Sequence, residues 1–257
     1  MKSGQFPNLP HDPLDGLRAA PWPLPCEQLP KRAFAYQAPA GMNPASPPES
    51  PSAASLGQIS ALTLAHYAAR AEEFEAGTRD HDVGQNIDAL LRHISGTPPF
   101  TILDLGCGPG RDLKAFTARG HTAIGLDGTA AFVERARNTS GCTVLQQDFL
   151  ALDLPAAGFD GIYANASLFH VPGAELPRVL GELRQALRPQ GVLFCSNPHG
   201  SNEEGWNRGR YGAYHDPQRW QEILSAAGFA LLELYYRPAG LPREQQPWLA
   251  TVWRRGA

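Results

Sequence analysis

Hydrophobic positions from residue 58 onward follow a helical spacing at first. A first helix is predicted by apolar residues three or four positions apart: Leu64, Tyr67, Ala71 and Phe74. A second helix is predicted by a similar set: Val83, Ile87, Leu90, Leu91 and Ile94. Gly96 and the prolines that follow it end this second helix.

Short apolar runs alternate with helical patterns after residue 99. Seven of these runs predict strands: residues 100–105, 122–126, 143–146, 159–164, 191–196, 230–236 and 248–253. Helices are predicted between them: one with Leu113 and Phe116 inward, one near 130–137, one near 174–187, and one from Asp216 to Gly228. This alternation predicts an α/β protein with a mostly parallel sheet that is covered by helices on both faces.

The first 57 residues have a different pattern. Of the 24 prolines, 12 lie between Pro7 and Pro51, too close together for a helix or a central strand to run through them. We expect residues 1–57 to be a disordered extension and residues 58–257 to be the folded domain. Met42 as the true start and a natural disordered tail are both open interpretations, while the acidic residues argue against an organelle presequence.

Composition narrows the classes of partner. The formal net charge is −3, from 22 Lys plus Arg against 25 Asp plus Glu, so the basic field of a nucleic-acid binder is absent. No run approaches the roughly 18 apolar residues of a membrane span, and residues 1–20 lack a secretory apolar segment. We expect a cytoplasmic protein that binds neither nucleic acid nor membrane; the sequence does not address its oligomeric state.

Cysteine and histidine spacing gives no sign of a metal or a disulfide framework. The four cysteines contain no CxxC pair and are expected to be reduced thiols: Cys26, Cys107, Cys142 and Cys195. The eight histidines include no pair at ligand spacing with a helical glutamate, so no metal site is predicted.

A glycine-rich turn follows the first predicted strand. Gly106, Gly108 and Gly110 alternate in LDLGCGPG, residues 103–110. A dinucleotide fingerprint needs its third glycine at position 111, where Arg111 stands, and the Gly-Lys-Ser/Thr ending of a P-loop is missing. Asp127, which is 21 residues after Gly106, ends the second strand and suits the two hydroxyls of a ribose. A tight turn with close helix packing is the alternative interpretation of these glycines.

Five segments in the same order resemble the class I S-adenosylmethionine-dependent methyltransferases, in the branch of small stand-alone domains. They are LDLGCGPG at 103–110, IGLDG at 124–128, Gln147-Asp148-Phe149, Phe159-Asp160, and LRPQG at 187–191. The resemblance covers roughly Tyr67 to the C-terminus. It implies a doubly wound, Rossmann-like sheet of seven strands with an antiparallel C-terminal strand, and S-adenosyl-L-methionine as the cofactor.

The resemblance also implies which residues bind the cofactor. Asp127 would hold the ribose hydroxyls, Asp148 and the Phe149 backbone would contact adenine, and Asp104 with Gly106 would position the methionyl amino group. Asn165 would lie near the methionine tail. The expected cofactor-binding set is completed by Tyr67, Cys107, Gly108 and Gly128. Read singly, Asp148 also fits a turn residue and Asp104 fits the partner of a helix N-cap.

Three segments are candidates for the acceptor side. In GTRDHD, residues 77–82 of the predicted helical lid 58–96, Arg79 would clamp a carboxylate and His81 would act as base or hydrogen-bond donor; ordinary helix capping is the alternative. His170 follows the fourth strand and is either a base or a packed loop histidine. Tyr211 lies in the long, aromatic and arginine-rich segment 197–216, which forms either a second lid wall or a seal over the fold.

Three functions are compatible with these features. The size of the domain favours methyl transfer to a small-molecule acceptor by in-line displacement. Methylation of a protein side chain and a non-catalytic module that only binds S-adenosylmethionine are the alternatives. An NAD-dependent oxidoreductase is disfavoured because Arg111 breaks the dinucleotide fingerprint. The acceptor and its reacting atom cannot be derived from the sequence.

Overall fold

The computed structural model describes residues 53–256, which contain nine strands and seven α-helices. The strands are β1 (Thr101–Leu105), β2 (Thr122–Asp127), β3 (Thr143–Gln146), β4 (Phe159–Asn165), β5 (Leu187–Pro198), β6 (Glu203–Asn207), β7 (Arg210–Tyr214), β8 (Phe229–Arg237) and β9 (Trp248–Arg255). The helices are α1 (Ala53–Ala68), α2 (Ala71–Thr78), α3 (Gly84–Leu91), α4 (Arg111–Ala118), α5 (Ala130–Ser140), α6 (Leu176–Ala186) and α7 (Pro217–Ala226). Short 3-10 helices lie at Leu168–His170 and Arg243–Gln245.

Seven strands form one sheet in the order β3-β2-β1-β4-β5-β9-β8. The pairs from β3 to β5 are parallel, and β9 runs antiparallel to both of its neighbours. The predicted fold class, a doubly wound α/β sheet with an antiparallel C-terminal strand, is therefore confirmed. The order of the strands reverses between β1 and β4, and in such sheets ligands bind beyond the carboxyl ends of the strands at this point.

The sheet is buried on both faces because its side chains alternate. In β1, Leu103 and Leu105 pack into one apolar cluster together with residues of α6. Ile102, which is also in β1, packs into the apolar cluster on the opposite face of the sheet, together with Leu113 and Phe116 of α4. Residues two apart in a strand share a face, so this short strand contributes to both layers of the core.

The beginning of the folded part differs from the sequence prediction. Helix α1 begins at Ala53, so the predicted boundary between residues 57 and 58 is too late; the rest of the predicted extension lies outside the described residues. The single helix predicted through Leu64 and Phe74 is two helices, because the chain turns after Ala68 and α2 starts at Ala71. Helical spacing continues across this turn, so periodicity alone could not locate it.

The segment 197–216 is not one long loop. Its residues extend β5 to Pro198 and form the hairpin β6–β7, in which Trp206 pairs with Tyr211. The two-residue turn is Arg208-Gly209, and both residues have positive φ, 50° and 86°. Asn-Gly or Asp-Gly is the usual signal for such a turn, and the arginine in its first position concealed it.

The structure also bears on membrane insertion and on the cysteines. No helix among residues 53–256 is long and apolar enough to cross a membrane. Cys107, Cys142 and Cys195 are free thiols, whereas Cys26 lies outside the described range.

Candidate functional site

The glycine-rich turn between β1 and α4 lies at the point where the strand order reverses. Gly106, Gly108 and Gly110 all have positive φ, 79°, 52° and 92°. A Cβ on Gly106 would lie 2.6 Å from the Cβ of Ser167, so only glycine fits between the loop and the residues that follow β4. A Cβ on Gly110 would lie 2.8 Å from Cα of Ala136 in α5. Close packing thus explains Gly110, while Gly106 and Gly108 face two cavities.

The smaller cavity, of about 90 Å³, lies between α1 and this loop. Its lining from α1 is Ile59, Ser60, Thr63, Leu64 and Tyr67. Two carboxylates, Asp127 and Asp148, line it from the sheet edge, and no lysine or arginine does so among the described residues. The site therefore suits a ligand that is neutral or cationic and has no phosphates.

Asp127 is buried at the carboxyl end of β2 and is held by backbone donors. Its Oδ1 accepts from the amide of Thr129 at 2.8 Å, and its Oδ2 accepts from the amide of Gly108 at 3.0 Å. Burial raises the pKa of this carboxyl, and the backbone hydrogen bonds oppose that rise. A carboxylate accepts about four hydrogen bonds, so Asp127 has capacity for further donors from a ligand.

Asp148 both forms a turn and contacts α1. Its Oδ1 accepts from the amide of Leu150 at 2.9 Å, which is the turn role left open by the sequence. Its Oδ2 accepts a short hydrogen bond from the hydroxyl of Ser60. Beside it, the Phe149 ring reaches the space next to Gly106.

The larger cavity, of about 820 Å³, lies on the other side of the glycine-rich loop. It shares five lining residues with the smaller one: Tyr67, Phe74, Gly106, Gly108 and Ala166. Its far wall comes from Arg237, the last residue of β8, Trp248, the first residue of β9, and the connection between them. A volume of this size is within the range of about 300–1,000 Å³ typical of small-molecule sites.

A chain of polar side chains crosses the wall of the larger cavity. Arg237 Nη1 lies 3.4 Å from Asn86 Oδ1, and Asn86 Nδ2 donates to Asn165 Oδ1 at 3.1 Å. Asn165 Nδ2 in turn lies 3.4 Å from Asp112 Oδ2, and Arg111 Nε donates to Asp112 Oδ1 at 2.5 Å. These contacts position Asn165 between the glycine-rich loop and the far wall of the larger cavity.

Tyr67 and His170 meet where the two cavities join. His170 Nδ1 lies 2.6 Å from the carbonyl oxygen of Tyr211, which only accepts, so Nδ1 carries the proton. Its Nε2 therefore accepts from the Tyr67 hydroxyl, 2.8 Å away. Burial lowers the pKa of His170 to about 3 and raises that of Tyr67 to about 12. His170 is thus a neutral, packed histidine whose ring nitrogens both have partners.

Comparisons with known proteins agree with this arrangement. Residues 102–191, which span β1 to the middle of β5, match the family model described as "Methyltransferase domain". A trans-aconitate 2-methyltransferase of Yersinia pestis is 33% identical over 142 residues, covering 54% of this chain and 53% of that enzyme. A malonyl-[acyl-carrier protein] O-methyltransferase of Xylella fastidiosa is 34% identical over 122 residues, covering 45% of this chain and 41% of that enzyme.

By the match to the family model, residues 102–191 of the chain are a methyltransferase domain. The matches span about half the length of these curated relatives. The fold is also similar to that of the Burkholderia thailandensis 1,6-didemethyltoxoflavin-N1-methyltransferase, solved with 1,6-didemethyltoxoflavin and S-adenosylhomocysteine. That similarity has a TM-score of 0.67 at 20% identity and covers 82% of this chain and 93% of the other.

The residues of the methyltransferase domain fit the family's cofactor, S-adenosylmethionine. Asp104 Oδ2 is buried without a hydrogen-bond partner among the described residues, and burial raises the pKa of this carboxyl well above its usual range. A cationic amino group nearby would compensate such a carboxylate. Gly106 and Gly108 bring the backbone of the loop to the edge of both cavities, and the smaller cavity presents carboxylates rather than cations to a ligand without phosphates.

The methyltransferase domain brings most of the predicted site residues to the two cavities. The smaller cavity is lined by Tyr67, Gly106, Gly108, Asp127, Gly128, Asp148, Phe149 and His170. The larger one is lined by Cys107, Asn165 and His81, as well as by Tyr67 and both glycines. Asp104 is buried behind the loop and lines neither cavity.

Two predicted acceptor-side residues lie outside both cavities. Arg79 is exposed and lines neither of them, so the structure does not support it as a carboxylate clamp. Tyr211 is buried in β7, where its carbonyl accepts from His170 and its hydroxyl interacts with Glu204. In the same polar loop, Asp82 Oδ1 accepts from the amide of Gly84 at 2.8 Å, which is the helix-capping role left open above.

Sequence reasoning did not single out several residues of the site. Ser60 and Thr63 contribute from α1, Asn86 from α3, and Arg237 and Trp248 from the last two strands. Arg237 is the last residue of β8, and the edge position of that strand places it beside α3. No local motif marks these residues, because only the sheet order and the path of α1 bring them to the site.

Proposed function

We propose that this chain transfers a methyl group from S-adenosylmethionine to a small-molecule acceptor. The observation that carries the proposal is the junction of the two cavities at Gly106 and Gly108. One cavity presents carboxylates without cations, and the other has the volume of a small-molecule site. A cofactor and an acceptor that occupy these cavities meet at the loop.

The cofactor site is assigned to residues on both sides of the loop. Asp127 accepts from the ribose hydroxyls, Asp148 and the Phe149 backbone contact adenine, and Asp104 compensates the methionyl ammonium. Asn165, fixed between Asn86 and Asp112, contacts the methionine tail. When bound, S-adenosylmethionine supplies an electrophilic methyl group on a sulfonium.

On the acceptor side, the residues of the chain align the acceptor and exclude water. Tyr67 and Phe74 line both cavities at their junction, and in-line displacement can gain much of its rate from alignment of the two reactants. Where the acceptor must lose a proton, His81 is the better base of the two histidines. Partial burial lowers the pKa of His81, which leaves its imidazole neutral near pH 7. His170 is bonded at both nitrogens.

The names of the relatives state different acceptors, and the first supports a small molecule. One is named for trans-aconitate, and another for malonyl groups on an acyl-carrier protein. The acceptor cavity of this chain is a recess behind the β8–β9 segment rather than an open surface, which favours a small molecule over a side chain of a docked protein.

Calorimetric titration of the full chain with S-adenosylmethionine, and separately with NADH, tests the cofactor. We expect the first to bind and the second not to. Incubation with S-adenosylmethionine labelled in the methyl group and with mixtures of acids, amines, thiols and phenols then tests transfer by mass spectrometry. Binding without transfer to any acceptor would support the non-catalytic module, and binding of neither compound would contradict the proposal.

A further inference from the structure

The charged residues that line the larger cavity differ in their exposure. Asp80, Asp82 and Glu244 are exposed, while Asp112 is a buried carboxylate. The arginines of the lining, Arg111, Arg210 and Arg237, are buried or half-buried. Water screens the exposed charges more strongly than the buried ones.

Arg111 is compensated within the protein. Its Nε and Nη2 donate to the two oxygens of Asp112, at 2.5 and 3.0 Å, in a paired arrangement of planar groups. Its Nη1 donates to the carbonyl of Thr78 at 2.7 Å. This pair therefore adds little net charge to the wall.

Arg237 has a different set of partners. Its Nη1 donates to Gln85 Oε1 at 3.1 Å and lies 3.4 Å from Asn86 Oδ1, while its Nη2 donates to the carbonyl of Asp82 at 2.9 Å. All three acceptors are neutral. Within residues 53–256, no carboxylate lies within ion-pair distance of this guanidinium.

These contacts hold the Arg237 side chain in a defined position and still leave it able to bind a ligand. A guanidinium has five N–H donors, and its planar fork matches the two oxygens of a carboxylate. The amide side chains of α3 that fix it also connect it, through Asn86, to Asn165 beside the glycine-rich loop. Arg237 is thus an oriented cation at one end of the acceptor cavity.

Arg210 adds a second positive charge to the same cavity. It is the first residue of β7, only 7% exposed, and its Cζ lies 5.9 Å from the centroid of the Tyr67 ring. Tyr67 lies at the junction with the cofactor cavity, so Arg210 is near the opposite end from the β8–β9 segment. An anionic molecule in the cavity would have a cation near each end.

On this basis, and resting on the proposed function, we propose that the methyl acceptor is a small carboxylic acid and that Arg237 binds one of its carboxylates. Arg237 then determines specificity, because a neutral acceptor of the same shape leaves the guanidinium without an anion. Carboxylate and phosphate oxygens both match the fork of a guanidinium, so the test includes a phosphate probe.

The test uses the full chain, trans-aconitate as a tricarboxylate probe, fumarate as a smaller probe, and the dimethyl esters of trans-aconitate, which keep one free carboxylate as the nucleophile and lack a second anion. Phosphoenolpyruvate reports on a phosphate in place of a second carboxylate. In each transfer a carboxylate oxygen bonds to the methyl carbon, and S-adenosylhomocysteine leaves. Labelled S-adenosylmethionine and mass spectrometry measure transfer to each probe. We expect transfer to at least one free acid and none to the dimethyl esters or at a phosphate.

Variants at two arginines separate recognition from folding. Arg237→Gln is expected to raise the KM for the acid about tenfold or more with a smaller change in kcat, and Arg237→Lys to lie between it and the unmodified chain. Arg254→Gln is the control. Arg254 also donates only to neutral oxygens, those of Ser95, Gln190 and His93, but lines neither cavity. The KM of the Arg254→Gln variant for the acid should not change.

The affinity for S-adenosylmethionine, measured on every variant, separates failure of this proposal from failure of the proposed function. If the unmodified chain does not bind S-adenosylmethionine, the proposed function itself is wrong. If it binds the cofactor but prefers uncharged acceptors, methylates none of the acids, or is equally affected by Arg237→Gln and Arg254→Gln, carboxylate recognition by Arg237 is overturned.

Discussion

The hydroxyl of Ser60 on α1 donates a short hydrogen bond to Asp148 Oδ2 at the carboxyl edge of the sheet. This contact, together with Leu64 against Gly128, holds α1 over a cavity of about 90 Å³. Sites for small ligands usually have about 300 Å³ or more. The conformation therefore places α1 closer to the sheet edge than an adenosine beneath it would allow.

The first prediction concerns this contact. Ser60→Ala removes a bond that must break or be shared when adenine reaches Asp148, so we expect S-adenosylmethionine to associate faster, by about two- to fivefold. Stopped-flow fluorescence measures the rate. Ser140→Ala is the control, since Ser140 Oγ donates to a carbonyl at the end of α5, away from both cavities. Slower association in Ser60→Ala would mean that the bond helps to form the site.

The second prediction concerns the glycine-rich loop. Gly106→Ala introduces a Cβ 2.6 Å from Ser167 at a φ of 79° and is expected to lower the free energy of unfolding by about 1–3 kcal/mol and to abolish cofactor binding. Gly120→Ala is the matched control, because Gly120 has a φ of 82° but no atom within 4 Å of the added Cβ. It should cost only the backbone strain, about 1–2 kcal/mol, and bind the cofactor normally.

Urea denaturation and calorimetric titration of both glycine variants provide the measurements. Equal losses of stability with cofactor binding retained in both would show that the contact with Ser167 is not restrictive.

The third prediction concerns the charge of Asp127. Asp127→Asn keeps the size of the side chain but replaces one acceptor oxygen with a donor, which faces the amide of either Thr129 or Gly108. We expect its Kd for S-adenosylmethionine to rise about tenfold or more. Asp153→Asn, at an exposed position outside both cavities, should leave the Kd unchanged. A wild-type Kd in Asp127→Asn would remove Asp127 from the ribose site.

The fourth prediction concerns the pH dependence of stability. The pKa of His170 is about 3 in the folded state against 6.5 in the unfolded chain, so between these values the unfolded state binds more protons. The stabilisation is complete above pH 6.5 and is lost as the pH falls, by about 1.4 kcal/mol per unit. His170→Gln lacks this titration.

Urea denaturation between pH 5 and pH 7 compares the two chains, which share all other titrating groups. We expect the free energy of unfolding of the unmodified chain to fall more steeply with acid than that of His170→Gln. Parallel curves would show that His170 is accessible to water and protonates in the folded state.

The sequence by itself determined the architecture and the position of the glycine-rich turn and Asp127 at the carboxyl edge of the sheet. Alternating strand and helix patterns specify the parallel sheet, because period-two and period-3.6 spacings are local properties of the chain. The glycine-rich turn and Asp127 are also recognisable locally, since both follow directly from the ends of strands. The predicted strands agree with the observed sheet for the same reason.

Only the tertiary structure decided which residues line the larger cavity and how α1 closes the smaller one. Ser60 meets Asp148 across 88 positions of sequence, and Arg237 meets Asn86 across 151. Such contacts depend on the sheet order, which places the edge strand β8 beside α3, and on the turn that separates α1 from α2. Neither the sheet order nor the turn has a local signal. The sequence therefore points to Arg79 as a candidate for binding a carboxylate, while the fold brings Arg237 to the wall of the larger cavity.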